Sequence, residues 1–228
     1  MTTLPLYRHV RGVLFDLDGT LIDSRADLTT AVNLLRADYG AAPLPVETVT
    51  AFVGDGARNL VRRALADLAH VDIDVALPRF KQHYAAHLTD ATRCYPGTHE
   101  TLAALCAAGL RCALITNKPE AATRALLAHF DLLRFLDPVI GGDTLPVMKP
   151  DPQALWHVAA SWQLLPRQLL MVGDHYTDIS AAHRAGMHAV YLRSGFGTLR
   201  DEQPDVILDN ITQLLTLLGV TGPAATVR

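Results

Sequence analysis

The sequence predicts an α/β fold, in which a parallel β-sheet carries helices on both faces and a helical cap is inserted near its start. Five short apolar runs rich in Val, Ile and Leu predict the sheet, because such runs suit strands buried on both faces. They lie at residues 13–15, 112–115, 169–172, 189–192 and 206–208. Helical segments separate most of them, and this alternation is typical of a Rossmann-like core.

Four predicted helices connect the strands of this core. They cover residues 100–108, 120–130, 152–162 and 179–185. Gly109 and Gly186 follow the first and the last of them, and glycine often ends a helix because it accepts a left-handed conformation. We therefore predict a core domain made of residues 1–22 and 92–228.

The interval between the first two predicted strands is much longer than one crossover helix requires. Within it, residues 26–39, 58–69 and 76–88 carry apolar residues at helical spacing, and Gly40, the PLP stretch at 43–45 and Pro78 are expected to interrupt the helices. This pattern predicts an inserted helical cap domain over residues 23–91. The tail, residues 221–228, is expected to fray.

Composition excludes several classes of partner. The net charge is −3 with dispersed Lys and Arg, which argues against nucleic-acid binding. The three cysteines fit neither a zinc site nor a disulfide framework, which favours reduced thiols and a cytoplasmic protein. No signal peptide or stretch of roughly 20 apolar residues is evident, so we expect no membrane partner. We expect either a monomer or a homodimer.

The stretch VLFDLDGTLID, at residues 13–23, contains the first candidate site residues. Asp16 directly follows the first predicted strand, and ligand clefts of parallel sheets lie beyond the carboxyl ends of the strands. Burying Asp16 unpaired in the middle of a strand would cost several kcal/mol. The carboxylates are therefore expected to face a cleft, although an ordinary Asp/Gly turn before a helix has the same pattern.

Polar side chains also follow the later predicted strands. They are Thr116, Asn117 and Lys118 after the second, Lys149 further on, and Asp174 and Asp178 after the third. Taken singly, Asn117 and Asp178 also suit a helix start, and Lys149 also suits a position beside a helix cap. Their common position at strand ends favours a shared site.

These stretches together resemble a known family. In order, DLDGT at 16–20, a strand ending in Thr116, KPDP at 149–152 and GDHYTD at 173–178 are similar to the four motifs of the haloacid dehalogenase-like hydrolase superfamily. The resemblance covers nearly the whole chain, and the cap, including FVGDGARNLVRRAL at 52–65, is similar to that of phosphoglycolate phosphatases. It implies an Mg²⁺-dependent phosphatase that hydrolyses a small phosphomonoester.

The resemblance also implies roles for individual residues. Asp16 would be the nucleophile that forms an aspartyl-phosphate, and Lys149 and Thr116 would contact the phosphate. Protein ligands of Mg²⁺ would be Asp16, the main-chain carbonyl of Asp18, Asp174 and, in an outer position, Asp178. A carboxylate about 4 Å from a phosphate dianion meets roughly 8 kcal/mol of repulsion at an effective dielectric of 20, so a cation is required.

Asp18 separates a phosphatase from the alternatives in this superfamily. Two residues beyond Asp16 on an extended chain, its side chain can point to the same side, reach the leaving-group oxygen and protonate the departing alkoxide. Relatives that cleave carbon–halogen bonds lack this second aspartate, which disfavours a dehalogenase. A β-phosphoglucomutase-like phosphomutase shares the core residues and stays an alternative, whereas a non-catalytic phosphate-binding protein would have lost Asp16 or Asp18.

Substrate choice is expected to come from the cap. Gly54 and Gly56 would allow the backbone to approach a small substrate, and Arg58 or Arg62 would bind a carboxylate; Asn117 would contact substrate from the core. A plain turn with solvated arginines explains the same residues equally well. This favours 2-phosphoglycolate and leaves open a sugar or amino-sugar phosphate such as N-acetylmuramate 6-phosphate. His175 lies at the predicted rim without an assigned role.

Overall fold

The computed structural model describes residues 7–221 and confirms the predicted α/β fold class. The strands of this part of the chain are β1 Gly12–Phe15, β2 Ile22–Asp23, β3 Arg93–Cys94, β4 Arg111–Ile115, β5 Val139–Ile140, β6 Leu169–Gly173, β7 His188–Leu192 and β8 Val206–Leu208. Six of them form one parallel sheet in the order β5-β4-β1-β6-β7-β8, so β1 lies inside the sheet. Strands β2 and β3 form a separate antiparallel pair.

Helices cover both faces of the sheet. In the described residues they are α1 Arg25–Asp38, α2 Val46–Thr50, α3 Ala57–Ala64, α4 Ile73–Ala86, α5 Thr98–Ala107, α6 Glu120–His129, α7 Gln153–Trp162, α8 Tyr176–Ala185 and α9 Gln213–Leu218. Phe15 of β1 packs in one apolar cluster with Leu102 of α5, while Leu14 packs in another with Leu155 of α7. Because successive strand side chains point to opposite faces, the sheet is buried on both sides, as its apolar runs predict.

Helices α1 to α4 share an apolar cluster of their own, which contains Leu35, Leu60 and Phe80. Asp27 of α1 accepts hydrogen bonds from the backbone N–H groups of Ala91 and Thr92, at 2.9 and 2.7 Å, and this joins the start of the segment to its end. The pairing of β2 with β3 brings the same two ends together. The division into a core (1–22 and 92–228) and a cap (23–91) stays a prediction that these contacts support.

The structure corrects the sequence-based description of the cap helices. Helix α4 runs through Pro78, which was expected to interrupt it. Proline removes the bond to the carbonyl of Asp74, but Asp74 is exposed and water can bond that carbonyl. Burial of Phe80 and Tyr84 on the same helix then outweighs the lost bond. The short helix α2 was not predicted, since five residues carry too little periodicity.

Two further expectations meet the limits of the described chain. The tail that was expected to fray comprises residues 221–228, and all of it except Thr221 lies outside the described residues. No helix within residues 7–221 has the length and apolar character needed to cross a bilayer.

Candidate active site

Three adjacent strands of the sheet deliver the predicted polar residues to one place. Asp16 follows β1, Thr116 follows β4 and Asp174 follows β6, and β1 pairs with both of the other strands. Their carboxyl ends therefore meet at one edge of the sheet. All three side chains line one cavity of about 300 Å³ between the sheet edge and the helices α1, α3 and α4.

Lys149 is a buried cation beside the carboxylates of this site. Its Nζ donates to Asp16 Oδ1 at 2.9 Å, to Asp178 Oδ1 at 2.7 Å and to the carbonyl of Ile115 at 2.6 Å. These contacts use all three donors of the ammonium group and fix its position. Burial raises the pKa of Asp16 to about 6 against the opposing effect of Lys149.

Asp16, Asp174 and Asp178 form a buried carboxylate cluster, with one oxygen of each within 4.8 Å of the others. Asp174 is held by the hydroxyl of Thr20 at 3.1 Å and by the backbone N–H groups of Phe196 and Gly197 at 3.0 and 2.7 Å. Burial, together with the charges of Asp16 and Asp178, raises the pKa of Asp174 well above its usual value.

This cluster fits a hard divalent cation. Its three carboxylates carry more negative charge than Lys149 neutralises, and burial, together with repulsion among these carboxylates, raises the pKa of Asp16 and of Asp174. Oxygen-only donors are what Mg²⁺ prefers, usually with only a few protein carboxylates. The structure thus brings together Asp16, Asp174 and Asp178 from the predicted ligand set, as residues able to hold a metal.

Gly19 of the DLDGT stretch is required by the close approach of Asp174. Its φ is +87°, and a Cβ at this position would lie 2.0 Å from Asp174 Oδ2. Any side chain would therefore displace the carboxylate from the cluster. The glycine serves the site as well as the turn.

Asp18 points away from the carboxylate cluster. Both of its oxygens accept from Lys118 Nζ, at 2.9 and 2.8 Å, and Oδ1 also accepts from the hydroxyl of Ser24 at 2.5 Å. Its predicted contact with a metal through the main-chain carbonyl stays a prediction. Sequence analysis placed Lys118 at a strand end without giving it a role, and Ser24 was missed. One sequence signal could have indicated a role for Lys118. It lies two residues after Thr116, which follows β4, just as Asp18 lies two residues after Asp16, which follows β1.

Asn117 and Gly54 connect the cap to the core. The Asn117 amide donates to the carbonyls of Gly54 and Lys149, both at 2.8 Å. Gly54 has φ +113°, and a Cβ there would lie 2.5 Å from the ring of His175. Burial lowers the pKa of His175 to about 4, so this ring is neutral at pH 7. Asn117 and Gly54 both line the cavity, and their contact with substrate stays a prediction.

The structure does not bring Arg58 and Arg62 to the cavity, contrary to the predicted carboxylate contact. Both side chains are exposed on α3, and neither lines the cavity. Arg58 instead forms an ion pair with Asp74 of α4. The reason is rotational: α3 turns Ala57 and Leu60 toward the cavity, which leaves the arginines on its solvent side.

The cap side of the cavity is mainly apolar. Its lining residues from the segment 23–91 are Leu28, Val53, Gly54, Gly56, Ala57, Leu60, Phe80, Lys81, Tyr84, Ala85 and Leu88. Only Lys81 and Tyr84 among these carry polar side-chain atoms. Tyr84 is buried, which raises its pKa to about 12, and its hydroxyl has no hydrogen-bond partner in the described residues.

A family model described as haloacid dehalogenase-like hydrolase matches residues 13–192, a span that contains Asp16, Thr116, Lys149, Asp174 and Asp178. The chain belongs to the haloacid dehalogenase-like hydrolases. This confirms the family and the hydrolase class predicted from the four motifs.

Other members of the haloacid dehalogenase-like hydrolases align over most of the chain. A phosphoglycolate phosphatase of Nitrosospira multiformis is 42% identical over 197 residues, which cover 84% of this chain and 87% of that protein. One of Pseudomonas putida is 43% identical over 224 residues, covering 94% and 81%. The crystal structure of a predicted phosphoglycolate phosphatase from Haemophilus somnus superposes with a TM-score of 0.87 at 31% identity, over 92% of this chain and 98% of that one.

Proposed function

We propose that this chain is a magnesium-dependent phosphatase that hydrolyses 2-phosphoglycolate through an aspartyl-phosphate on Asp16. The observation that carries the proposal is the position of Asp16, which lines the cavity and lies beside Lys149 and two further carboxylates. Relatives at 42% and 43% identity that are named phosphoglycolate phosphatase support the substrate.

Asp16 is arranged to act as the nucleophile. Lys149 bonds Oδ1, while Oδ2 has no hydrogen-bond partner within residues 7–221 and is the oxygen available to attack phosphorus. Thr116 Oγ1 accepts from the backbone N–H of Lys118 at 3.3 Å, which leaves its own proton free to bond a phosphoryl oxygen. The attack breaks the bond between phosphorus and the ester oxygen and leaves the phosphoryl group on Asp16.

Asp18 serves the leaving group in this scheme. It would give a proton to the departing alkoxide and then take one from the water that hydrolyses the aspartyl-phosphate. When bound at the carboxylate cluster, Mg²⁺ supplies the positive charge that lets an anionic nucleophile meet an anionic phosphate. Asp16, Asp174 and Asp178 would hold it.

The cavity disfavours the sugar-phosphate and phosphomutase alternatives. A sugar presents several hydroxyl groups, and polar groups buried without partners cost free energy. The cap offers only two polar side chains to them, Lys81 and Tyr84. A small substrate with one charged group suits this lining better.

Cysteine chemistry and charge bear on the cellular setting and the partners. Cys94, Cys106 and Cys112 are free thiols, which supports a cytoplasmic protein. The dispersed Lys and Arg support a small phosphate ester as partner, without nucleic acid or membrane. A monomer or homodimer remains our proposal.

The test is phosphate release from 2-phosphoglycolate, glucose 6-phosphate and N-acetylmuramate 6-phosphate, with Mg²⁺ and with a chelator. We expect the highest kcat/KM for 2-phosphoglycolate and dependence on Mg²⁺. Asp16→Asn should abolish turnover on every substrate, because an amide oxygen is a poor nucleophile. A preference for a sugar phosphate, or turnover by Asp16→Asn, would overturn the proposal.

A further inference from the structure

One buried cation of the cavity is not engaged with the nucleophile. Lys149 uses its three donors on Asp16, Asp178 and a carbonyl. Lys118 is also buried, at 6% exposure, and its hydrogen bonds within residues 7–221 go only to the two oxygens of Asp18. An ammonium group has three donors, so at least one remains for another acceptor.

A buried hydroxyl accompanies this lysine. Lys118 Nζ lies 4.6 Å from the ring centroid of Tyr84, which reaches the cavity from α4. Tyr84 is 5% exposed, and its hydroxyl has no partner in the described part of the chain. A buried O–H without a partner costs free energy, so this position favours a ligand that accepts a hydrogen bond.

The place of these donors fits one part of the substrate. In 2-phosphoglycolate a single methylene separates the carboxylate from the ester oxygen. Asp18 meets that oxygen in the proposed reaction, and Lys118 is bonded directly to Asp18. A carboxylate one carbon beyond the ester oxygen therefore falls within reach of Lys118.

We propose that Lys118 and Tyr84 bind the substrate carboxylate, and that they are the specificity-determining residues of the enzyme. The proposal rests on the proposed function, and it replaces Arg58 and Arg62, which lie outside the cavity. Lys81 is the rival cation. It also lines the cavity, but its side chain is exposed, so water screens its charge.

The experiment compares 2-phosphoglycolate with ethyl phosphate, in which a methyl group replaces the carboxylate. The measured quantity is the ratio of the two kcat/KM values, because effects on the shared phosphoryl chemistry cancel in it. Lys118→Met should lower this ratio by about 10- to 100-fold, mainly through a higher KM for 2-phosphoglycolate, as expected for loss of one hydrogen bond to a charged group. Tyr84→Phe should lower the ratio by about 3- to 10-fold.

Lys81→Met is the matched control, since it removes a cavity lysine that bonds no site residue. We expect it to leave the ratio within about 2-fold of the unmodified chain. Equal losses on both substrates in Lys118→Met would overturn the proposal and leave the proposed function intact. A collapse of the ratio in Lys81→Met instead would also overturn it.

Two measurements keep these outcomes separate from other failures. If the unmodified chain does not prefer 2-phosphoglycolate to ethyl phosphate, the proposed function fails before any variant is compared. If thermal melting shows that Lys118→Met does not fold, Tyr84→Phe decides the question alone. It removes a hydroxyl without a partner and keeps the ring packing, so an unchanged ratio would overturn the proposal.

Discussion

Two aspartates two residues apart have different surroundings, and this difference defines their chemistry. Asp16 lies among carboxylates with Lys149 on one oxygen, which suits an anionic nucleophile beside a metal. Asp18 lies outside that cluster, between Lys118 and Ser24. Its side chain is thus not one of the three carboxylates that could hold a metal.

Asp18→Asn tests the assignment of the acid. We expect kcat for 2-phosphoglycolate to fall by about 10²- to 10⁴-fold, and kcat for p-nitrophenyl phosphate to fall much less. The nitrophenolate leaves without a proton, so it does not need the acid. Steady-state kinetics on both substrates gives the comparison.

Ser24→Ala is the control for this variant, because it removes a hydrogen bond to Asp18 and keeps the carboxylate. It should cost less than about 10-fold on either substrate. Equal losses on the two substrates in Asp18→Asn would rule out the acid role.

At the scale of elements, the loop before α3 fastens the cap to the core. Tyr176 Oη donates to Asp55 Oδ1 at 2.7 Å, and Arg63 bonds the other oxygen. The guanidinium of Arg200 lies 3.5 Å from the centroid of the Tyr176 ring. Asn117 bonds the carbonyl of Gly54 in the same loop. These contacts hold the loop before α3 against residues that follow β4 and β6.

Gly54→Ala tests the need for this close contact. The new methyl group would lie 2.5 Å from the His175 ring, at a φ of +113° that favours glycine. The loop must move away from the core, so we expect kcat/KM for 2-phosphoglycolate to fall by at least about 10-fold. Steady-state kinetics checks this.

Gly40→Ala is the matched control for Gly54→Ala. Gly40 also has a positive φ, +69°, but a methyl group there meets nothing within 4 Å. It should cost about 1–2 kcal/mol in the free energy of unfolding and leave kcat/KM near that of the unmodified chain. Similar losses of activity in both variants would show that backbone strain alone explains the Gly54 effect.

At the scale of the whole molecule, the sequence predicted the strands and strand ends that depend on a local pattern of residues. Apolar runs located β1, β4, β6, β7 and β8, because each contains at least three consecutive apolar residues. Strands β2, β3 and β5 have only two residues each, which is too short for a sequence pattern, so pairing with their neighbours defines them. Strand ends likewise placed the carboxylates correctly at one edge of the sheet.

Contacts between the cap and the core could not be predicted in this way. The rotation of α3 decides that Arg58 faces solvent, and packing of α1 against α4 decides that Tyr84 faces the cavity. Sequence spacing shows only which residues share a face of a helix. Which face meets the core is a tertiary property, and for that reason the sequence did not show that Arg58 and Arg62 lie outside the cavity.

Metal binding should be visible as stability of the whole chain. Mg²⁺ that binds only the folded state adds about 2.7 kcal/mol at 100 times its Kd, which corresponds to a rise in Tm of about 5–10 °C for a chain of this size. Asp174→Asn should remove most of this rise, because it weakens the cluster with Asp16 and Asp178. Thermal melting with Mg²⁺ and with a chelator measures the effect without any substrate.

The rise in Tm that Mg²⁺ causes should increase with pH. The folded-state pKa of Asp16, about 6, lies above its ordinary value of 3.8. Ionisation of Asp16 therefore lowers the free energy of unfolding of the metal-free chain as pH rises through this range. Mg²⁺ relieves that cost only when the carboxylate is ionised, since protons compete with the metal. The rise in Tm should therefore be larger at pH 7.5 than at pH 5. An equal rise at both values, or one retained by Asp174→Asn, would place the metal elsewhere.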